Sequence, residues 1–147
     1  SLTVVGIEIL DQSILDLPFV NNVGRLDKSD EKQLAKLKHI FSQSHFLILP
    51  TLGECYGMVF AEASAYGTPC LANRTGGVPS VVTEGINGHT VKNNSIEDYY
   101  NLILMYVSNP NKYGELVLSS RKIYEESLNW DKWVSKINIK ISEIVDE

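Results

Sequence analysis

Short apolar runs and helix-periodic segments alternate along the chain. Phe46–Leu49 is an unbroken apolar run bounded by Pro50, a pattern typical of a central parallel strand covered on both faces. Similar runs recur and predict further strands. The predicted strands are Leu2–Ile9 together with its exit, Phe19–Val23, Phe46–Leu49, Pro69–Ala72 and His89–Lys92.

Helices are predicted where apolar residues recur three and four positions apart. One begins at Ser29 or Asp30, either of which can cap it, and ends near Ser44. Another follows the third strand and carries small and apolar residues together with one carboxylate, Glu62. It ends at Gly67, the residue type that best tolerates the left-handed conformation after a helix.

The C-terminal third of the chain is predicted to be helical. Its two tryptophans, Trp130 and Trp133, lie in the last helix and are expected to pack in a core or against another domain. The predicted helices begin at Ser95, at about Asn111, and at Asn129 or Asp131.

Strands that alternate with helices predict an α/β fold, in which a Rossmann-like parallel sheet with right-handed crossovers carries helices on both faces. A chain of 147 residues is long enough for a core of its own, and we expect residues 1–147 to form a single domain. Ligands of such sheets bind outside the carboxyl ends of the strands. A functional site is therefore expected in the loops at those ends.

Charge and composition exclude several kinds of partner. The net charge is −5 and no basic run stands out, so nucleic acid is not expected as a partner. No apolar stretch approaches the roughly 20 residues of a membrane helix, and we expect no membrane contact from this part of the protein. Cys55 and Cys70 fit no metal spacing and are expected to be free thiols in a reducing cytoplasm.

The stretch Pro50–Pro69 contains the most informative residues. A loop with Gly53, Glu54 and Gly57 leads directly into a helix start, the usual construction for binding an anion or a phosphate. Glu54 and Glu62 can face one crevice at the sheet edge, which suits a ligand with phosphates and hydroxyls, such as a sugar nucleotide. Alternatively, Glu62 is a structural carboxylate satisfied by a nearby backbone amide or cation.

A second glycine loop, Asn73–Pro79, follows the next strand at the same sheet edge. Gly76 and Gly77 allow the backbone to come close to a ligand. The alternative is a plain turn before a short helix at Ser80–Glu84. Because glycine pairs are common in turns, the pair taken alone favours the plain turn.

Together, these residues resemble the C-terminal, donor-binding domain of a retaining glycosyltransferase of family 4, the group 1 type, with the two-domain GT-B fold. The family signature is a strand ending in Pro-Ser/Thr and then E-x-F/Y-G-x-x-x-x-E-A, followed by x-A-x-G-x-P and a Gly-Gly loop. The matching residues are Pro50, Thr51, Glu54, Tyr56, Gly57, Glu62, Ala63, Ala65, Gly67, Pro69, Gly76 and Gly77, with Glu84, Gly85, Gly88 and Trp130 further along.

The resemblance implies a role for each part of the site. Glu62 would accept hydrogen bonds from the ribose hydroxyls of the nucleotide, and Glu54 would be the catalytic carboxylate that contacts the transferred sugar or stabilises charge near it. Backbone amides around Tyr56, Gly57 and Met58 would face the diphosphate or the sugar. The remaining residues expected to line the pocket are Thr75, Gly76 and Gly77. No metal and no other cofactor is expected.

The resemblance also implies that a second domain completes the protein. The acceptor-binding N-terminal domain, and the Arg and Lys that the family usually contributes to the donor site, are expected to lie outside this chain. The chain alone is then expected to be inactive, and the whole protein to act in the cytoplasm, with polysaccharide biosynthesis as one plausible role. Two residues depart from the family pattern: Cys55 replaces a common Gly, and Ser80 replaces a common Glu.

Two other functions remain open from the sequence. The chain could be a non-catalytic or regulatory module that binds a nucleotide sugar through a degenerate site. It could also belong to a GT-B phosphorylase or epimerase, although the different anion site or cofactor lysine that such enzymes need is not found.

Overall fold

The structure, a computed structural model, describes residues 1–7 and 11–145. Contacts along the chain define two compact units, Ser1–Gln43 and Ser44–Glu147. The described strands pair as one sheet of two strands and one sheet of three, and every pairing within them is parallel. The predicted α/β fold, with parallel sheets flanked by helices, is therefore confirmed.

The first unit is built on strand β1 (Leu2–Val5), which pairs with β2 (Val20–Gly24). The strand predicted over Leu2–Ile9 is confirmed as far as Val5, and residues 8–10 lie outside the described part of the chain. The short helix α1 (Gln12–Leu15) was not predicted from the sequence, because four residues are too few to show a period.

Helix α2 (Glu31–Gln43) completes the first unit. Asp30, one of the two candidate caps, occupies the capping position, since its carboxylate accepts hydrogen bonds from the backbone N–H groups of Lys32 and Gln33, each at 2.9 Å.

The second unit is organised around β4 (Cys70–Asn73), which lies between β3 (Leu47–Leu49) and β5 (Gly88–Val91). All four residues of β4 are buried, as expected for the central strand of a parallel sheet. In register, Leu47 lies opposite Cys70, and Cys70 opposite Gly88. The carboxyl ends of the three strands therefore meet at one edge, at Leu49, Asn73 and Val91.

The described part of the second unit contains four α-helices, two of which begin at a predicted cap. The hydroxyl of Ser95 accepts a hydrogen bond from the N–H of Asp98 at 3.2 Å, and the side chain of Asn129 accepts one from Lys132 at 3.0 Å. Asn129 is thus the cap of the last helix rather than Asp131. The helices are α3 (Met58–Ser64), α4 (Ile96–Val107), α5 (Pro110–Ile123) and α6 (Trp130–Val145), with a π-helical turn at Tyr124–Leu128 between the last two.

A hydrophobic core joins the sheet to α4. Leu71 of β4, Val91 of β5 and Tyr99 of α4 form its buried centre, and partly buried side chains surround them. Phe60 and Ala63 of α3 are completely buried as well, so α3 is a fixed part of this unit.

One prediction about local structure is wrong. Instead of a helix at Ser80–Glu84, a 3₁₀ turn occupies Val78–Ser80. The side chain of Asn87 accepts a hydrogen bond from the N–H of Thr83 and donates one to the carbonyl of Val81. A helix would have used both of these backbone groups.

The tryptophans of α6 do not lie in a core. Trp130 is 68% exposed and Trp133 is 53% exposed, and their rings meet edge to face at 5.7 Å. The alternative expectation, packing against another domain, stays a prediction. Within residues 1–7 and 11–145, no helix combines the length and the apolar character needed to cross a membrane.

Candidate functional site

Two loops meet at the carboxyl edge of the three-stranded sheet. The loop Pro50–Gly57 follows β3, and the loop 74–77 follows β4. The N–H of Gly77 donates to the carbonyl of Glu54 at 3.1 Å, and the hydroxyl of Thr75 donates to the carbonyl of Leu52 at 3.2 Å. The structure therefore brings the Glu54 segment and the Gly76–Gly77 pair together.

The two glycines are needed for contact between the loops. A Cβ atom on Gly76 would collide with the carbonyl oxygen of Glu54, and one on Gly77 would collide with that of Cys55. Gly76 also has a φ of +49°, which few other residues tolerate. The close approach that the pair permits is thus to the backbone of the neighbouring loop, and this packing determines where both loops lie.

Helix α3 starts directly after the first loop, at Gly57. This residue has a φ of 81° and forms no side-chain cap, and a Cβ at its position would lie 2.5 Å from the ring of Phe60. The neighbouring Tyr56 and Met58 are 42% and 58% exposed. The backbone around Tyr56, Gly57 and Met58 therefore forms a turn at the helix start with no side-chain cap, a feature compatible with anion binding.

The two glutamates of the motif are both half-buried. Oε1 of Glu54 accepts a hydrogen bond from the N–H of Cys55 at 2.9 Å, so this carboxylate is held against its own loop. Glu62 is four residues after Met58 and shares its face of α3, away from the buried Ala63. Glu62 has an interaction partner within the chain, which is compatible with both the ligand-binding and the structural interpretation.

Asn73 and Asn94 join the strand ends beneath the loops, and sequence reasoning missed both. The side-chain amide of Asn73, which is 7% exposed, donates to the carbonyl of Thr51 at 3.0 Å, and its oxygen accepts from the N–H of Asn94 at 3.0 Å. Asn94 donates in turn to the carbonyl of Pro50 at 3.4 Å. The only sequence signal was an asparagine at the end of an apolar run, which is too common to interpret.

Glu84, another residue of the family pattern, lies on the outer edge of β5. Its carboxylate accepts hydrogen bonds from the N–H of Thr90 at 2.8 Å and from the Thr90 hydroxyl. The carboxylate also contacts Nδ1 of His89 at 2.9 Å. Nε2 of His89 is 2.8 Å from the hydroxyl of Tyr106. Glu84 thereby satisfies a backbone N–H of β5, which is an edge strand among the strands that the structure describes.

These contacts also affect the protonation of Glu84. Partial burial raises the pKa of its carboxyl, but the hydrogen bonds from Thr90 and the contact with His89 outweigh burial, so that the pKa lies below its ordinary value. A cleft of about 470 Å³ opens beside this cluster, between β5 and α4. None of the residues predicted for the donor site lines this cleft.

The two thiols lie in different environments. Cys55 is exposed and Cys70 is buried, and burial raises the pKa of the Cys70 thiol. In the part of the chain that the structure describes, no three His, Cys, Asp or Glu side chains are grouped so as to hold a metal ion.

Comparison with known proteins defines the class of protein. Residues 8–123 match the family described as glycosyl transferases group 1. This segment is well over half of the chain, and the chain therefore belongs to that family.

Individual relatives agree with the family. A D-inositol 3-phosphate glycosyltransferase of Gordonia bronchialis is 30% identical over 100 residues, which are 68% of this chain and 22% of the relative. An uncharacterized glycosyltransferase of Methanocaldococcus jannaschii is 25% identical over 126 residues, 86% of this chain and 36% of the relative. The chain thus spans between about a fifth and about a third of these relatives.

Solved structures share the fold. Sucrose-phosphate synthase of Thermosynechococcus elongatus superposes with a TM-score of 0.77 at 20% identity, over 98% of this chain and 38% of that one. HepE of Anabaena, solved in complex with UDP-glucose, gives a TM-score of 0.71 at 18% identity, over 98% and 40% of the two chains. At these identities the similarity establishes a shared fold.

Proposed function

We propose that the chain is the donor-binding half of a retaining glycosyltransferase of family 4, which takes a sugar from a nucleotide diphosphate sugar. The observation that carries the proposal is the interlocked pair of loops at the carboxyl ends of β3 and β4. Glu54 belongs to one loop and Gly76–Gly77 to the other, and the N–H of Gly77 is bonded to the carbonyl of Glu54. Ligands of parallel α/β sheets bind at this edge.

The proposed ligand follows from the chemistry of these loops and from the relatives. The backbone amides around Gly57 suit a diphosphate, and half-buried carboxylates suit hydroxyl groups. HepE, a structural neighbour, has been solved with UDP, with UDP-glucose, and with UDP and glucose. UDP and UDP-glucose are therefore the first ligands to test.

Each group has a defined role in the proposed reaction. The bond from the anomeric carbon of the sugar to the diphosphate oxygen breaks, a bond to the acceptor hydroxyl oxygen forms, and the hydroxyl proton leaves with the departing nucleoside diphosphate. Backbone amides at Tyr56–Met58 stabilise the negative charge that develops on the leaving diphosphate, and Thr75, Gly76 and Gly77 line the same pocket. Glu54 contacts the transferred sugar, and Glu62 binds the ribose hydroxyls.

The whole protein is needed for transfer. In this proposal a further domain, from the part of the relatives that this chain does not span, supplies the acceptor site, and the 147-residue chain alone binds donor without turnover. The reaction is proposed to retain anomeric configuration, to need no metal and to occur in the cytoplasm. The proposed acceptor is a glycan, a lipid or a small molecule, and the proposed setting is polysaccharide biosynthesis.

Titration calorimetry of the 147-residue chain with UDP tests donor binding. We expect Glu62→Gln to weaken UDP binding by about tenfold, because an amide replaces a charged acceptor of two ribose hydrogen bonds. Glu115→Gln, an exposed carboxylate on α5, is the matched control and should leave affinity unchanged. Equal affinity of Glu62→Gln and wild type would reject the ribose role.

Experiments on the class of reaction require the whole protein. Proton NMR of the product from an α-linked donor should show an α linkage if the reaction is retaining, and a β linkage contradicts that part of the proposal. Activity that persists after treatment with EDTA supports a metal-independent reaction, whereas loss of activity that Mg²⁺ or Mn²⁺ restores rejects it.

A further inference from the structure

Helix α3 depends on contacts with the rest of the fold for its position. α3 is seven residues long and begins at a glycine that provides no side-chain cap. A helix of this length is unstable in isolation, so contacts with the rest of the fold must hold it in place. Because Glu62 lies on α3, whatever holds the helix also sets the position of that carboxylate.

Asn87 is a buried polar side chain that contacts the end of this helix. It is completely buried, and its Nδ2 atom donates to the hydroxyl oxygen of Ser64 at 3.1 Å. Ser64, the last residue of α3, is also fully buried, and its own hydroxyl proton goes to the carbonyl of Phe60 at 2.9 Å. The Asn87–Ser64 bond therefore acts on the helix two residues from Glu62.

The rest of Asn87 binds the segment that follows the second glycine loop. Nδ2 also donates to the carbonyl of Val81 at 2.9 Å, and Oδ1 accepts from the N–H of Thr83 at 2.7 Å. Its backbone carbonyl accepts from the N–H of Cys70, the first residue of β4, at 2.8 Å. One side chain thus connects α3 with the backbone that continues from Gly77 through the 3₁₀ turn.

We infer that Asn87 is a positioning residue, which fixes the helix carrying Glu62 relative to the Gly76–Gly77 loop from beneath the proposed donor site. This inference rests on the proposed function for its consequence, the affinity for nucleotide. Its geometric part, the restraint of α3, can be tested without a ligand.

The chemistry of the amide explains the residue type. Two donors and one acceptor are needed here, and the asparagine amide supplies both donors and the acceptor from one planar group. A carboxylate of the same shape could still accept from Thr83, but it has no proton for Ser64 or for the carbonyl of Val81. An apolar side chain would leave the Val81 carbonyl and the Thr83 N–H without this partner and would remove the donor to the Ser64 hydroxyl.

Ser64→Ala is the mildest test, because it removes the Asn87–Ser64 bond and leaves the other two bonds of Asn87 in place. Ser127→Ala is the matched control, since the hydroxyl of Ser127 makes the same bond to the carbonyl four residues earlier, Ile123, at 3.0 Å. Asn87→Asp is the stronger variant. All are compared at a temperature at which circular dichroism shows a fully folded chain.

Calorimetry with UDP then measures the coupling between the two positions. We expect Ser64→Ala to weaken UDP binding by about fivefold in the wild-type background and to have little further effect in Glu62→Gln, as for residues that act through one another. A merely structural role predicts no change in affinity of the folded chain. Unchanged affinity, or the same loss in both backgrounds, overturns the inference.

Hydrogen exchange of the backbone amides separates this inference from the proposed function. Ser64→Ala should speed exchange at residues 60–65 and leave α4 unchanged, while Ser127→Ala should leave 60–65 unchanged. If wild type binds no UDP but α3 loses protection in Ser64→Ala, the proposed function fails and the restraint on α3 holds. Unchanged protection of α3 overturns the positioning role directly.

Discussion

The centre of the second unit and its last helix are both rich in apolar residues, but only one of them is buried. Every residue of β4 is buried, and so are three of the seven residues of α3. In α6, by contrast, none of the sixteen residues is buried, although Trp130, Val134, Ile137 and Ile141 recur at helical spacing. An apolar stripe in a sequence therefore identifies a face, and only the neighbouring elements decide whether that face is covered.

The largest effect on stability is expected in the buried part of the second unit. Phe60→Ala should destabilise the chain by about 3–5 kcal/mol, because the ring is completely buried and its removal leaves a cavity. Met58→Ala, on the same helix but 58% exposed, is the control and should cost much less. Urea denaturation measures both, and equal losses would show that the two faces of α3 are not distinct.

The contact between the glycine loops should give the next largest effect. Gly77→Ala is expected to cost about 1–3 kcal/mol, since the new methyl group meets the backbone carbonyl of Cys55, which cannot rotate away. Gly114→Ala in α5 meets no atom within 4 Å and should instead stabilise by about 0.5–1 kcal/mol. The two substitutions are chemically identical, so opposite signs in thermal unfolding isolate the loop contact. Stabilisation by Gly77→Ala would contradict the close packing.

A substitution at the edge of β5 should have an intermediate effect on stability, because the Glu84 side chain is 55% exposed but makes three contacts. Its folded-state pKa is lowered, so its contribution to stability is present above the ordinary pKa of about 4.5 and is lost as the pH falls through the folded value. Wild type should therefore exceed Glu84→Gln in stability at pH 7, and the difference should shrink below about pH 4.5. Denaturation at several pH values checks this, and a difference that grows on acidification contradicts it.

The smallest effect is expected on α6. Ile141→Gln replaces an apolar side chain that is 52% exposed and should change stability by no more than about 0.5 kcal/mol. A loss above about 2 kcal/mol in the 147-residue chain would show that this face is covered in solution. Making the same substitution in the whole protein tests the expectation that the tryptophan-bearing helix packs against another domain.

Local patterns were sufficient to predict much of the architecture. The apolar runs at Phe46–Leu49 and Pro69–Ala72 correspond to the strands Leu47–Leu49 and Cys70–Asn73, and Ser95 caps a helix as expected, because strand burial and helix capping depend on residues close in sequence. The motif from Glu54 to Gly77 was also enough to predict the family to which the chain belongs. The spacing of residues within a motif can be read directly from the sequence and does not depend on contacts elsewhere in the fold.

Only the tertiary structure decided how distant backbone groups are satisfied. Where a helix was expected, the side chain of Asn87 bonds to the backbone of Val81 and Thr83. It also bonds to Ser64, a residue 23 positions away in the chain. Gly76 and Gly77 proved to contact the carbonyls of Glu54 and Cys55. Such contacts join segments that are remote in sequence and depend on strand order and register, which no local period encodes. The exposure of α6 is undetermined by its sequence for the same reason.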